Sequence, residues 1–152
     1  MNEMKQLINE FWIWANRSPE QYSEDGCLNQ EKGEFEEDFP YFEDMFCLGK
    51  SVIYNNILDD DILNDFLTVM AINNEGEFLS DLLIDIGTEE QINKVIDLGM
   101  KHPQSSARWQ ITKVLYKRRP DGWLDFLKKL TQDSNEYVRR RARNIINYFL
   151  HG

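Results

Sequence analysis

Residues 133–149 read DSNEYVRRRARNIINYF. The apolar residues of this stretch recur at spacings of three and four, which places them on one face of an α-helix. They are Val138, Ala142, Ile145, Ile146 and Phe149. Asp133 is suited to cap the helix or the turn before it, because its carboxylate accepts free backbone N–H groups. A helix with a single apolar stripe needs another helix to cover it, so the stretch predicts an all-α protein.

The same periodicity recurs along the second part of the chain. Thr88 and Gln91 have the spacing of a capping box, and Asp59, Asp60 and Asp61 favour the positive end of a helix dipole. No segment alternates with period two for long, so no strand is predicted. The predicted helices lie near residues 60–73, 76–86, 89–100, 104–118, 121–131 and 135–150.

The first part of the chain is less regular. Residues 3–17 predict a helix in which Trp14 falls outside the apolar stripe, and a short helix is expected within residues 41–57. Between them, residues 20–44 hold ten acids and one lysine, interleaved with aromatic residues. Rings and carboxylates together suit a surface that binds a basic partner. A solvated loop anchored by its rings is the alternative interpretation.

An internal repeat links the predicted helices. Shifting the last helical pair by about 31 residues superimposes its apolar positions on those of the preceding pair, and a further shift of about 29 reaches the pair before that. In the first shift, Val138 and Ala142 fall on Ala107 and Ile111. In the second shift, Ala107 and Ile111 fall on Phe78 and Leu82. The second shift also places Ile92, Val95 and Ile96 on Leu63, Phe66 and Leu67. Periods of this length are typical of helical solenoids.

The pattern Asp133-x4-Val138-Arg139-x2-Ala142 resembles the signature of HEAT repeats. The resemblance covers residues 59–150 and implies a short, right-handed α-solenoid of about three helix pairs. It also implies that Asp133, Arg139 and Arg108 brace adjacent pairs, with His102 at the position of the aspartate in the middle pair. Residues 1–58 then form an acidic amino-terminal helical cap, and residues 1–152 a single domain.

Charge is divided along the chain. Residues 1–100 carry 5 Lys/Arg against 23 Asp/Glu, a balance of −18, whereas residues 101–152 carry 12 against 4, a balance of +8. An acidic first part repels nucleic acid and attracts basic proteins. Seven residues are predicted to form the partner-binding surface: Glu34, Glu36, Glu37, Asp38, Tyr41, Glu43 and Asp44.

No catalytic chemistry is predicted. His102 and His151 have no Ser or Cys nucleophile at a recognisable spacing, and the chain lacks HExxH, P-loop, GxSxG and CxxC motifs. We therefore expect no enzyme activity, no cofactor and no metal. Cys27 and Cys47 are expected to be reduced thiols, and the absence of a signal peptide or membrane span predicts a cytoplasmic protein.

The expected function is non-enzymatic recognition of another, basic protein. Small HEAT-like proteins occur among bacterial toxin-immunity proteins, so the resemblance implies a neutraliser of a basic toxin such as a nuclease. A generic HEAT adaptor or regulator is the alternative. Some DNA glycosylases are also built from HEAT-like repeats. In that third interpretation the candidate contacts are Arg108, Trp109, Lys113, Arg139, Arg140 and Arg143.

Overall fold

In the computed structural model, residues 2–152 form nine α-helices and two 3-10 turns and contain no strand. The 3-10 turns, Gln30–Lys32 and Glu36–Asp38, lie between the second and third helices. The all-α prediction is confirmed, and the six helices predicted after residue 59 are present with ends within two residues of those expected. The helices are α1 (Glu3–Ala15), α2 (Pro19–Asp25), α3 (Phe42–Tyr54), α4 (Asp60–Ile72), α5 (Phe78–Ile86), α6 (Glu89–Gly99), α7 (Ser105–Arg118), α8 (Trp123–Leu130) and α9 (Glu136–His151).

Helix α2 begins where the sequence predicted only a break. Ser18 Oγ accepts the N–H of Gln21 at 3.1 Å, and the Gln21 side chain accepts the N–H of Ser18 at 2.9 Å. This reciprocal capping box satisfies two N–H groups that a helix start leaves free. Pro19 occupies the first helical position, where its fixed φ angle suits the helix and no N–H is required. Ser18 and Pro19 therefore end one helix and start the next.

Helix α7 is the centre of the packing. It contacts α2, α4, α5, α6, α8 and α9, and its apolar side chains Ala107, Ile111, Val114 and Leu115 are fully buried. Gln110 is also fully buried. Its Nε2 donates to the carbonyl of Met70 on α4 at 2.8 Å, and its Oε1 accepts from Ser80 on α5 at 3.0 Å. A buried amide with both ends paired therefore fixes α7 against two helices at once.

The remaining helices pack around this centre. Helix α6 lies against α4 and α7, and α9 lies against α7 and α8. Helix α1 packs on α3 and α4, and α3 packs on both α4 and α5. The buried side chains form one continuous core from Met4 on α1 to Ala142 on α9.

The structure corrects the register predicted for α5. Phe78 and Leu82 were expected in the core, but Leu79 and Leu83 are fully buried and Phe78 is 58% exposed. Helix α5 starts two residues later than predicted, after Glu77, whose φ of 54° lies in the left-handed region. Leu79 and Leu83, each one residue after a predicted core position, therefore face the core.

The capping box predicted at α6 is half formed. Thr88 Oγ1 accepts the N–H of Gln91 at 3.1 Å. The Gln91 side chain does not return to Thr88; it is fully buried, and its Nε2 donates to the carbonyls of Val52 at 3.0 Å and Ile57 at 2.9 Å. The glutamine thus joins α6 to the end of α3, where the buried carbonyls need a donor.

A nearly buried ion pair joins α7 to the turn before α9. Arg108 Nε donates to Asp133 Oδ2 at 2.9 Å, and its Nη2 donates to Oδ1 at 3.2 Å. Asp133 Oδ1 also accepts the N–H of Asn135 at 2.9 Å, so the aspartate orders the turn while Asn135 caps the helix. Arg139 Nη1 donates to the Asp133 carbonyl at 2.7 Å. The bidentate geometry makes the Arg108–Asp133 ion pair a strong contact.

His102 occupies the corresponding position before α7. Its Nδ1 accepts the N–H of Gln104 at 3.0 Å, as Asp133 does for the residue two positions on. Because Nδ1 accepts, the neutral ring carries its proton on Nε2, which lies 3.2 Å from the carbonyl oxygen of Asn64 on α4. Arg108 Nη1 donates to the His102 carbonyl at 2.7 Å, six residues back, as Arg139 does to Asp133. Burial lowers the pKa of His102 to about 4.

We expect Asp133→Asn to lower the free energy of unfolding by about 1–3 kcal/mol, because it leaves the Arg108 guanidinium largely buried without its counter-charge. Urea denaturation of the single variants and of Arg108→Met/Asp133→Asn completes a double-mutant cycle. Asp97→Asn is the control, since the Lys101–Asp97 pair is about three-quarters exposed at both side chains and should contribute little. Equal effects of Asp133→Asn and Asp97→Asn would contradict the bracing role.

The low pKa of His102 predicts a loss of stability in acid. The unfolded ring titrates near 6.5, so between that value and about 4 the unfolded chain binds the proton more readily than the folded chain. The stabilising contribution is complete above about pH 6.5 and falls by up to about 3 kcal/mol toward pH 4. In His102→Asn, whose amide oxygen can accept the same N–H, we expect urea denaturation to show a shallower decline. Parallel pH profiles of wild type and variant would exclude His102 as the titrating group.

Candidate interaction surface

A buried polar cluster holds residues 34–44 in place. Glu36 is 4% exposed, and one of its oxygens, Oε2, accepts three hydrogen bonds. The donors are the Tyr22 hydroxyl at 2.5 Å, the Leu28 N–H at 3.1 Å and the Asn74 amide at 3.1 Å. Burial, and then the charge of Glu36, raise the pKa of Tyr22 well above its ordinary value, so the phenol keeps its proton and remains a donor. The cluster ties the segment to α2 and to the end of α4.

Two of the seven predicted partner-binding residues are therefore used inside the fold. Glu36 does not belong to the surface; its prediction as a contact residue is wrong, because its carboxylate is the acceptor of the buried cluster. Glu34 is half-buried and forms an ion pair with Arg17 at 3.3 Å. Arg17 is also within 3.8 Å of Asp25, so the carboxylates at this edge of the segment are partly neutralised.

The other five residues lie together on the outside, and we call them the acidic surface: Glu37, Asp38, Tyr41, Glu43 and Asp44. Glu37 and Asp38 belong to the second 3-10 turn, and Glu43 and Asp44 to the first turn of α3, where carboxylates favour the positive end of the helix dipole. All four are exposed, and none forms an ion pair with any residue of the described range 2–152. Their charge is therefore available to a partner.

Aromatic rings extend the acidic surface toward α1. Phe39 is buried, and its ring centroid lies 5.4 Å from that of Phe11, 5.5 Å from Trp14 and 5.8 Å from Tyr41. Trp14 is 38% exposed and Tyr41 48% exposed. Trp14 is a contact candidate that is missing from the seven predicted residues, although its place outside the apolar stripe of α1 was the available signal. Half-exposed aromatic side chains on a rigid support are common at protein interfaces.

The cations of the second half are largely occupied within the fold. Lys113 pairs with Asp81 at 2.8 Å and with Glu77 at 3.3 Å, and Arg141 pairs with the same Glu77 at 3.3 Å. Arg118 donates to the carbonyls of Ile84 at 3.1 Å and Gly87 at 2.7 Å. These contacts join α5, α7 and α9. Four of the twelve Lys and Arg side chains of residues 101–152 form an ion pair within residues 2–152, namely Lys101, Arg108, Lys113 and Arg141.

This arrangement bears on the nucleic-acid interpretation. Arg108 and Arg139 are held at Asp133, and Lys113 is held by α5. Trp109 packs edge-on against Tyr137, with ring centroids 4.7 Å apart, and Arg140 lies over the same Tyr137 ring. Of the six candidate contacts, only Arg143 is exposed without an ion pair or cation–π contact in residues 2–152. The other five candidate side chains are engaged by residues of the fold.

The described residues also bear on metal binding, membrane spanning and thiol chemistry. No group of three or more His, Cys, Asp or Glu in residues 2–152 is arranged to hold a metal ion. None of the helices formed by these residues has the length and apolar character needed to span a membrane. Cys27 and Cys47 are free, and burial raises the pKa of the Cys27 thiol.

Comparison of the chain with protein-family models, with curated proteins and with solved structures found no match. The HEAT resemblance therefore depends on the sequence pattern around Asp133 and Arg139. The acidic surface is defined by the exposure of its residues in the structure.

The buried cluster predicts opposite outcomes for two adjacent glutamates. We expect Glu36→Ala to lower the free energy of unfolding by about 3 kcal/mol or more, because it leaves the buried donors of Tyr22 and Leu28 unpaired. Glu37→Ala should leave stability unchanged, since Glu37 is exposed and unpaired. Chemical denaturation measures both variants. Indistinguishable midpoints would show that the Glu36 cluster does not hold the segment.

Proposed function

We propose that this protein recognises another protein without catalysing a reaction, and that the acidic surface is where a basic partner binds. The observation that carries the proposal is the set of four exposed carboxylates that have no internal partner, set beside the exposed rings of Tyr41 and Trp14. Unpaired charge attracts the partner over a distance, and the rings supply contact area when it arrives.

The physical expectation is fast, salt-sensitive association. Carboxylates concentrated on one surface steer an oppositely charged protein toward it and raise the association rate. Because the acidic surface is exposed, salt screens it over a length of about 8–10 Å at physiological ionic strength. Binding to this surface is therefore expected to weaken as salt rises, chiefly through the association rate.

The scaffold that we propose is a short, right-handed, HEAT-like α-solenoid, with α1–α3 as its amino-terminal cap. Three observations support it. Helices α6 and α7 pack together, as do α8 and α9, which are consecutive pairs. Residues 31 positions apart, Ala107 and Val138, or Ile111 and Ala142, are all fully buried. Arg108 and Arg139 donate to carbonyls six residues back in the same way.

The sharper form of the proposal is a bacterial immunity protein that neutralises a basic toxin such as a nuclease. The small size, the acidity and the unpaired carboxylates of the surface support it, because a nuclease carries positive charge to hold its own substrate. A generic adaptor or regulator is the alternative. The two differ in their effect on the partner: an immunity protein abolishes its activity, whereas an adaptor binds it and leaves that activity in place.

The test is protection of cells that express the product of the gene directly upstream. Wild type is expected to restore growth, and Glu37→Lys/Asp38→Lys/Glu43→Gln/Asp44→Asn is expected to fail, because it removes the charge that draws the partner in. With the purified pair, the same variant should associate at least about tenfold more slowly at low salt. Glu36 is left unchanged so that the buried cluster stays intact.

A matched control reverses charge elsewhere. Glu24 and Asp85 are exposed and form no ion pair in residues 2–152, so Glu24→Lys/Asp85→Lys should protect like wild type. If the acidic-surface variant protects equally well and associates equally fast, the proposal is wrong. If wild type binds the upstream product at the acidic surface but gives no protection, the adaptor is favoured.

A further inference from the structure

We propose that the groove between the start of α3 and the start of α5 receives an arginine or lysine side chain of the partner together with its adjacent peptide backbone. This inference rests on the proposed function and assigns it a specific binding site. The groove has a volume of about 370 Å³. Its lining includes the rings of Phe42, Phe46 and Phe78, the carboxylates of Glu37 and Glu43, and the amide of Asn73.

The rings form walls suited to the hydrocarbon stem of a basic side chain. Phe42 and Phe46 are nearly parallel, with centroids 6.2 Å apart and an angle of 7° between the planes. Phe78 meets Phe46 edge-on at 6.4 Å and is 58% exposed, which is unusual for a phenylalanine. Lys50 Nζ already lies 4.9 Å from the Phe46 centroid, so a ring of this wall accepts a cation over its face. Stem and ammonium or guanidinium both find favourable contacts here.

The carboxylates define the charge of the ligand. Glu37 and Glu43 line the groove, are exposed, and have no ion pair in residues 2–152. A cation that enters between them forms charge-assisted hydrogen bonds that the free protein lacks. An anionic or neutral side chain would leave both carboxylates uncompensated, so the pairing selects against it.

Asn73 offers a hydrogen-bond donor to a ligand in the groove. Its side chain is only 4% exposed, and its Oδ1 accepts the N–H of Leu79 at 3.1 Å. Its Nδ2 donates to no atom of residues 2–152, although the residue lines the groove. Nδ2 retains solvent exposure, so water can pair with it in the free protein, and a ligand carbonyl can replace that water. The free donor therefore fits a backbone carbonyl of a bound peptide segment.

The opposite side of α3 provides an internal control. Tyr41 and Asp44 line a second groove, together with Leu7, Cys47 and Leu48, and do not line the first. If cations are held by the acidic surface in general, Asp44 should contribute as much as Glu37 or Glu43. If the first groove is the site, the two glutamates should dominate.

The experiment uses the full chain and a fluorescein-labelled peptide of alternating Arg and Gly, about eight residues long, with binding followed by fluorescence anisotropy at low salt. We expect Glu37→Gln/Glu43→Gln to weaken binding about tenfold and Phe78→Ala to weaken it several-fold. The two-charge control Asp38→Asn/Asp44→Asn should bind almost like wild type, because neither residue lines the groove. Asn73→Asp keeps the acceptor for Leu79, removes the donor and adds negative charge. The groove predicts weaker binding for this variant, and its side-chain amide resonance in wild type should shift on titration.

Three results would overturn the inference. Asp38→Asn/Asp44→Asn weakening binding as much as Glu37→Gln/Glu43→Gln, or Asn73→Asp strengthening it, would show that cations bind the acidic surface without using the groove, and the proposed function would stand. Insensitivity to all of the acidic substitutions would overturn the groove and the proposed function together. A thermal unfolding transition shows whether each variant is folded. If Asn73→Asp is unstable, Phe78→Ala still tests the groove, because the Phe78 ring is exposed.

Discussion

The bidentate contact between Arg108 and Asp133 is the interaction on which the arrangement of charge depends. It fixes the last helical pair on α7, and with it the position of Arg141 on α9, which reaches Glu77 on α5. Lys113 converges on the same Glu77. Cations that the sequence concentrates near its end are thus held by carboxylates of the fold. Each such ion pair is partly removed from water. Breaking it would leave an uncompensated charge in a poorly hydrated site.

Lys and Arg of the second part pair with Glu77, Asp81 and Asp97 of the first part, and other acids of the first part remain without a counter-charge. Glu37, Asp38, Glu43 and Asp44 have no ion pair in residues 2–152, and only Glu43 and Asp44 lie in the first turn of α3, where they support the helix dipole. The segment that presents them is rigid because Phe39 and Glu36 anchor it from below, one by ring contacts and the other by hydrogen bonds. A rigid segment loses little conformational entropy on binding, which favours recognition.

The apolar period predicted α4 and α6–α9 well, because long amphipathic helices are specified by local pattern and the core follows it. The sequence also contained the signal for α2, a Ser-Pro-x-Gln capping box, but too few residues follow it for a periodic pattern. The burial of Glu36 was not predictable. Acids alternate with rings throughout the segment. The side chains that donate hydrogen bonds to Glu36 belong to Tyr22, 14 residues away, and to Asn74, 38 residues away. The register of α5 depends likewise on the left-handed turn at Glu77, which no local pattern announces.

The central claim is that the protein meets its partner through carboxylates left unpaired by the fold, and not through its basic carboxyl-terminal half. Hydrogen exchange of the complex with its natural partner, compared with that of the free protein, tests this most directly. The account predicts slower exchange in residues 35–46 and 73–78, around the acidic surface and the groove beside it. Slower exchange confined to α8 and α9 would contradict it.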